Sequence, residues 1–585
     1  MSDFIVQDGE LVSYCGSDMQ VVVPSGVEAI GEDAFFECGF ITQVTLPEGV
    51  KSIGKRAFWG CGSLEKIALP KSLTEIGDNA FRACGALAEI AVPEGVVHTG
   101  EAVFRGCGQL ERVQLPESLA RLEISTFSDC FALKSVRLSS KMKEIPSRCF
   151  HWCVNLEEID IPSGVTLIDS EAFLGCMALR QVRLPAALKE IGSKCFCECA
   201  KLTGLDMPQG VEHIGADAFY KSGIITGCGE EFLVMSGILV KYLGQGERAE
   251  IPRGVRCVGD YAFAYCESLK CAVLPEGVIE IGSYAFERCE RLESVVLPVS
   301  VKKIGKGAFC ECAALQSIEL PGSIEHIGAG AFEQCGVAFD CADGLTTADG
   351  KYVLSFIGSA ERLELPCGVT VIADEAFTRC RVAEAVLPEG LKTIGRDAFR
   401  WRSELKKADI PSSVSYIGEG AFANCIETVI SIDKPCGYLG GDAFPSATRL
   451  LLDTSAGQID VTLTDRVRAE SCDERRLWAL ACEPSQEAFD SLQKEEYKLA
   501  CAIALYGGGL CVQYLKENIT RAVCFAAKYD TAMLERVLSY DLLGPVELKQ
   551  CVDFTVQEGL TQQQVILLRC GGGHFGERNA KRFEL

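Results

Sequence analysis

The apolar positions of this chain fall into one recurring frame, Leu-x-x-Val-x-Leu-Pro-x-x-Val-x-x-Ile-Gly-x-x-Ala-Phe-x-x-Cys, seen from Leu64 to Cys84 with Leu69, Pro70, Leu73, Ile76, Gly77, Ala80 and Phe81 in place. Val-x-Leu alternates with period two, the spacing of a short strand with one face buried, and the proline ends that strand. A second apolar pair, such as Val50 with Ile53 or Leu188 with Ile191, brings the chain back to the core. The glycine opens a turn where a positive φ or a close approach would penalise a Cβ. Ala-Phe-x-x-Cys is too short for an ordinary helix and reads as a single helical or 3₁₀ turn that delivers one Phe ring.

Seventeen phenylalanines mark the units, from Phe35, Phe58 and Phe81 to Phe219, then Phe263 to Phe332 and Phe377 to Phe444, with a step of 23 residues through the first nine. A period in this range means stacked coils. No coil buries its apolar face alone, so stability belongs to the array and its ends need caps. The predicted fold is a repeat solenoid of about 17 coils, each a short parallel strand plus a 3₁₀ or short helical turn, followed by an all-α module.

The array is interrupted twice, and both interruptions resemble the amino terminus. Phe4-Ile-Val-Gln-Asp-Gly-Glu-Leu-Val, Phe232-Leu-Val-Met-Ser-Gly-Ile-Leu-Val and Thr347-Ala-Asp-Gly-Lys-Tyr-Val-Leu each place Asp-Gly or Ser-Gly between apolar stretches, the signal of a β-hairpin. The expected organisation is a hairpin cap over 1–23, three sub-arrays over 24–228, 229–338 and 339–456, and a helical module over 457–585. In that module apolar residues recur at three and four within Arg466 to Ala481, Ser485 to Leu505, Ile519 to Lys528, Ala532 to Ser539, Pro545 to Glu558 and Gln562 to Leu568. Pro484 and Pro545 read as first-turn prolines. The segments opening at Cys524 and Asp553 echo each other at an offset of 29 residues, and the region is weakly similar to ankyrin-type helical pairs. Its two readings are a cap for the array and a second docking module.

The runs from Leu46 to Cys61 and Leu274 to Cys289 stand nearly unaltered as Leu-Pro-x-Gly-Val-x-x-Ile-Gly-x-x-Ala-Phe-x-x-Cys. They resemble the BspA-like (Treponema pallidum-type) leucine-rich repeats, and the resemblance covers roughly residues 1–450. It implies a leucine-rich-repeat superhelix, a bacterial or protist source, binding of proteins or host matrix through the solenoid surface, and no catalytic residue. Many members of that family are exported. Here the amino terminus lacks a basic n-region and an apolar h-region, and no run of 18 apolar residues occurs, so the expected location is the cytoplasm. The alternative is a cell-surface or extracellular protein exported by another route.

Fourteen of the 32 cysteines sit three residues after a repeat Phe, for example Cys61, Cys84 and Cys107. A tight buried corner selects a small, slightly apolar side chain, so these are expected to be reduced packing thiols. The net charge is −24, of which about −20 lies before residue 460. Such a surface repels phosphate backbones, which excludes nucleic acid and anionic membranes as expected partners. The chain is expected to be a monomer that binds protein.

Candidate chemistry dissolves on inspection. Gly571-x-Gly573-x-x-Gly576 matches a dinucleotide fingerprint, yet too few residues follow for a crossover helix, and it reads as a flexible link. Cys195, Cys197 and Cys199 diverge from one another in a turn, so no metal is expected. His98, His213 and His326 share one repeat phase, but the first two are five coils apart, roughly 24 Å, and share no metal or proton relay. No catalytic residue, cofactor or metal site is expected. What remains is a surface. The outward residues of successive strands read Gln114, Arg137, Asp160, Arg183 and Asp206, an alternating charge ladder with Arg112, Glu158 and Gln181 beside it, and these eight form the candidate partner-binding strip. In the second sub-array Val273, Val296 and Glu319 take the same positions and the face turns more apolar. The function expected is a non-catalytic protein-binding scaffold. The alternatives are a surface adhesin and an enzyme whose site lies in the carboxy-terminal helices, where His574 is the one histidine.

Overall fold

The computed structural model describes residues 3–425, 428–434, 437–445, 448–455, 457–463, 473–505, 511–529, 531–540 and 542–574. The chain divides into two compact units, Met1–Val301 with Gly307–Pro321 and Phe332–Gly336, and Lys302–Lys306 with Gly322–Ala331 and Val337–Leu585.

In the first unit most coils carry two short strands. Gln20–Val22, Gln43–Thr45 and Lys66–Ala68 pair in parallel as a first ladder, continued where Glu89–Ala91 pairs with Arg112–Gln114. Ala29–Ile30, Ser52–Ile53, Glu75–Ile76 and His98–Thr99 pair in parallel as a second ladder. The second ladder is built from the apolar return, which two residues are too few to reveal as a strand. Val44 and Ile90 of the first ladder and Ile53 and Ile76 of the second all turn inward and are buried. The repeat glycine answers a close approach: a Cβ at Gly54 would lie 2.8 Å from both Gly31 C and Glu32 N, and one at Gly77 would lie 2.7 Å from Lys55 N.

The Ala-Phe-x-x-Cys corner is not a 3₁₀ turn. Every coil from Phe35 to Phe219 holds two left-handed residues, two before and two after the Phe, with φ between 53° and 75°, and most are not glycine: Asp33 and Glu37, Asn79 and Ala83, Arg148 and Trp152. They close successive tight turns, Phe36 N to Asp33 O at 3.0 Å and Cys38 N to Phe35 O at 3.1 Å. The alternation frees every second N–H to donate to the next coil, as in Asp33 N to Lys55 O, Phe35 N to Ala57 O and Glu37 N to Trp59 O, at 3.1, 2.7 and 2.7 Å. A helical turn would send those donors back along its own axis. The corner therefore forms a third inter-coil ladder. Inside it the rings of Phe35 through Phe219 stack at 4.9 to 5.7 Å with interplanar angles of 1° to 11°.

Both hairpins of this unit are observed. Phe4–Gln7 with Glu10–Tyr14, and Phe232–Met235 with Ile238–Tyr242, are antiparallel pairs. Asp8-Gly9 and Ser236-Gly237 both have positive φ, as two-residue hairpin turns require. The second strand of each hairpin joins the second ladder, and Tyr14 and Tyr242 place their rings 5.3 and 4.9 Å from Phe35 and Phe263. A hairpin is thus a coil with its first ladder strand replaced, and its tyrosine heads the ring column.

In the second unit a third hairpin joins Leu345–Ala348 to Tyr352–Glu364 through Asp349-Gly350. Arg379–Val386, Lys407–Ile410, Val429–Ile432 and Arg449–Thr454 form the first ladder, closed by the antiparallel strand Gly457–Thr462. Phe377, Phe399, Phe422 and Phe444 stack at 4.5, 5.0 and 5.7 Å, and Trp478 meets the last ring at 6.0 Å.

Eight helices follow among the described residues: Asp473–Cys482, Gln486–Asp490, Glu495–Leu505, Val512–Glu517, Ile519–Tyr529, Thr531–Leu538, Pro545–Gln557 and Thr561–His574. Ser485 caps the second, so the expected segment from Ser485 to Leu505 is two helices, and Pro484 stands outside the first turn while Pro545 stands in it. Arg466 to Ser471 lie outside the described residues, and Val512–Glu517 was not expected. Gly571 and Gly573 lie within the last helix rather than in a link, and Gly576 lies outside the described residues. Glu495–Leu505 is buried from Leu499 to Leu505 without a break, which makes it the centre of the module. Trp478 on Phe444, Thr462 Oγ1 at 2.8 Å from Tyr529 Oη, and Arg536 Nη1 at 2.9 Å donating to Gln458 O seat the helices on the closing hairpin.

Candidate interaction surface

Strand pleating decides which side chains the first ladder offers. In Arg112–Gln114, Glu158–Asp160 and Gln181–Arg183 the central Val113, Ile159 and Val182 are buried and both flanking residues are exposed. Register places Glu158 opposite Gln181 and Asp160 opposite Arg183, and an isolated bridge places Gln114 beside Arg137. All eight candidate residues are exposed, and Asp206, like Arg137, lies outside any extended strand.

Of the expected charge ladder one rung forms. Arg183 Nη1 donates to both carboxylate oxygens of Asp160 at 2.8 and 3.0 Å. Arg137 pairs with neither neighbour among the described residues, and its field instead helps hold the Glu117 carboxyl below its ordinary value, behind the larger effect of hydrogen bonds from Ser140. Arg112 turns to Glu89 at 2.9 Å. The adjoining row carries its own inter-coil pairs, Lys134 with Glu111 at 3.7 Å and Arg180 with Glu157. Opposite charges 23 residues apart were the signal for that row. In the second sub-array Val296 stands 52% exposed beside Val299 at 73%, while Arg248 and Glu250 pair at 2.9 Å.

The corner cysteines are thiols with a job. Cys61, Cys84 and Cys107 are fully buried, and each Sγ donates to the carbonyl of the preceding coil's Phe at 3.1 to 3.2 Å. Burial pushes Cys61 and Cys107 up to about 12. Cys199 makes the same bond to Phe173 O, so it is committed to the corner. No three His, Cys, Asp or Glu side chains among the described residues converge on one point. His98, His213 and His326 open second-ladder strands, and His326 Nε2 lies 3.2 Å from Asp374 Oδ2. No described helix is long and apolar enough to cross a membrane.

The family described as the BspA-type leucine-rich repeat region, in six copies, matches residues 10–134, 121–227, 242–340 and 350–451. The chain belongs to the BspA-type leucine-rich repeat family. Proteins of the BspA type are generally interaction or surface proteins and typically not enzymes. Among solved structures, a leucine-rich repeat protein from Bacteroides ovatus ATCC 8483 is 21% identical, over 74% of this chain and 98% of its own, with a TM-score of 0.36. A leucine-rich cell surface protein from Faecalibacterium prausnitzii A2-165 is 20% identical over 75% and 93%, with a TM-score of 0.29. The T. pallidum leucine-rich repeat protein is 29% identical over 34% and 86%, with a TM-score of 0.26. No curated protein matches the sequence.

Proposed function

We propose that this BspA-type chain is a non-catalytic scaffold that binds a protein partner on the outward face of its first strand ladder, through Arg112, Gln114, Arg137, Glu158, Asp160, Gln181, Arg183 and Asp206. One observation carries the reading. Arg137, Glu158 and Gln181 make no ion pair or side-chain hydrogen bond among the described residues, although the neighbouring row pairs off charge for charge. Coil packing does not need these three side chains. They stand on a hydrogen-bonded ladder that holds their spacing, which lowers the cost of ordering them on binding. The chain's acidity argues against nucleic acid and anionic membrane as the partner.

The test uses the full chain as bait in lysate of the native host, wild type beside an Arg137→Glu, Glu158→Lys double variant. The expected result is a protein retained by the wild type and lost from the variant, at equal thermal stability. Equal retention by both baits would remove the strip from the proposal.

A further inference from the structure

The repeat breaks its own rule at one place in the second unit. In ordinary coils Phe and the strand-ending proline are twelve positions apart, as from Phe58 to Pro70 or Phe399 to Pro411, but the interval is eleven from Phe377 to Pro388 and ten from Phe356 to Pro366. These coils lack the residues to build the corner. The chain runs extended instead, and Ile357 to Ala360 pair in parallel with Arg379 to Val382. The next coil has its full length and turns again, with Trp401 left-handed at φ 64°. Its backbone therefore cannot follow the extended pair, and pairing with it starts only where Glu384 meets Lys407.

A side chain spans the opening. Arg402 stands three residues after Phe399, where most coils place cysteine, and donates to Thr378 O at 3.0 Å, to Cys380 O and, through Nε, to Arg400 O at 3.3 Å. Beside it lies an open concavity of about 490 Å³, lined by Arg379, Arg381, Trp401, Arg402, Ser403 and Glu404 among others. Among the described residues the Arg381 and Arg402 guanidinium groups share this lining with one carboxylate, Glu404, in a chain whose net charge is −24. Arg402 is spent on carbonyls, which satisfies its donors and leaves its charge unneutralised. Arg381 is exposed and pairs with no carboxylate among the described residues, while Glu384 and Asp397 are taken by Arg362 at 2.9 Å and Arg400 at 3.4 Å. Trp401 is 61% exposed, with the Arg400 guanidinium 5.7 Å from its ring.

We propose that this concavity binds an acidic peptide segment, with an Asp or Glu carboxylate on the Arg381 guanidinium, in the field of Arg402, and the adjoining peptide or side chain laid on the Trp401 indole. Arginine suits this because its planar fork donates two parallel N–H bonds to a carboxylate. A nucleic acid needs a basic track along its backbone, and Glu364, Glu384 and Asp409 on the strands there deny it one. The proposal stands on other residues than the strand-face reading and does not depend on it.

The experiment is fluorescence anisotropy of a fluorescein-labelled octaglutamate peptide, with octaglutamine as the neutral probe, titrated with the full chain at low salt. The chain's overall charge repels octaglutamate, so binding reports a local cationic site. The expected result is binding of octaglutamate alone, weakened about tenfold by Arg381→Glu and about threefold by Trp401→Ala. Arg253→Glu, the same charge change at an exposed residue of the other unit, is expected to leave it unchanged. Absence of binding, equal binding of octaglutamine, or equal weakening by Arg381→Glu and Arg253→Glu would overturn the proposal.

Discussion

Two kinds of coil share this chain. Those of the first unit from Phe35 to Phe219 turn a corner with two left-handed residues, whereas the coil of Phe377 keeps the first of these, Glu375, and lacks the second, and the coil of Phe356 runs on as part of a 13-residue strand. Both kinds keep a parallel strand ladder and a buried Phe. The corner is therefore separable from the stack: it fixes the coil length and satisfies backbone donors, while the ring column and the ladders hold neighbours together. The column should be the more costly part to damage. Phe127 has parallel rings on both sides, at 5.6 Å each, and Phe127→Ala is expected to lower stability by about 3 to 5 kcal/mol in urea denaturation. Phe356 meets Phe377 tilted at 46° and 6.2 Å, so Phe356→Ala is expected to cost less. Equal losses would mean that stacking within the column adds nothing beyond burial.

The two kinds of coil also satisfy their carbonyls differently. Cys107 Sγ reaches back to Phe81 O, but Cys380, in an extended coil, bonds Phe377 O of its own coil, and the carbonyls of Thr378 and Cys380 wait for Arg402. Installing the family's usual residue there by Arg402→Cys should therefore destabilise, by about 2 kcal/mol, because three bonds from a charged donor are lost, two of them to the preceding coil. A neutral or stabilising result would show that the arginine serves binding alone. Cys107→Ala should cost less, about 1 to 1.5 kcal/mol, from a lost donor and a small void. Wild-type Cys107, buried and with its thiol pushed up to about 12, should resist a thiol reagent at pH 8 until the protein unfolds.

What was legible in the sequence follows the same division. The ring column announced itself because every coil must place Phe at one point, and the hairpins did because Asp8-Gly9 and Ser236-Gly237 need two positive φ values in succession. The second ladder was hidden by its length of two residues, such as Ser52–Ile53. The corner was misread because Ala83, Trp152 and Lys194 carry no compositional sign of a left-handed backbone; tertiary hydrogen bonds impose it. In the candidate strip, Asp160 and Arg183 meet because paired strands hold their register, whereas Arg137 is tied by an isolated bridge to the uncharged Gln114 and Asp206 lies outside the strands. The concavity at Arg381 and Trp401 was invisible for another reason. It arises from residues missing between Phe and Pro, and a search for repeated residues passes over missing ones.

The finest division between the two kinds of coil is the sign of one substitution. Ala83 sits in a corner at φ 61°, where a Cβ meets the following carbonyl at a cost of roughly 1 to 2 kcal/mol per residue. Glycine removes that cost and pays in chain entropy roughly 0.5 to 1 kcal/mol, so Ala83→Gly is expected to stabilise by about 0.5 kcal/mol. Ala360 lies in the extended pair, opposite Val382, where no left-handed strain exists to relieve. Ala360→Gly is therefore expected to destabilise by about 0.5 to 1 kcal/mol. Paired urea midpoints of the two variants decide the matter: opposite signs mean that the corner stores strain which its inter-coil hydrogen bonds offset, and the same sign means that the corner is as relaxed as a strand.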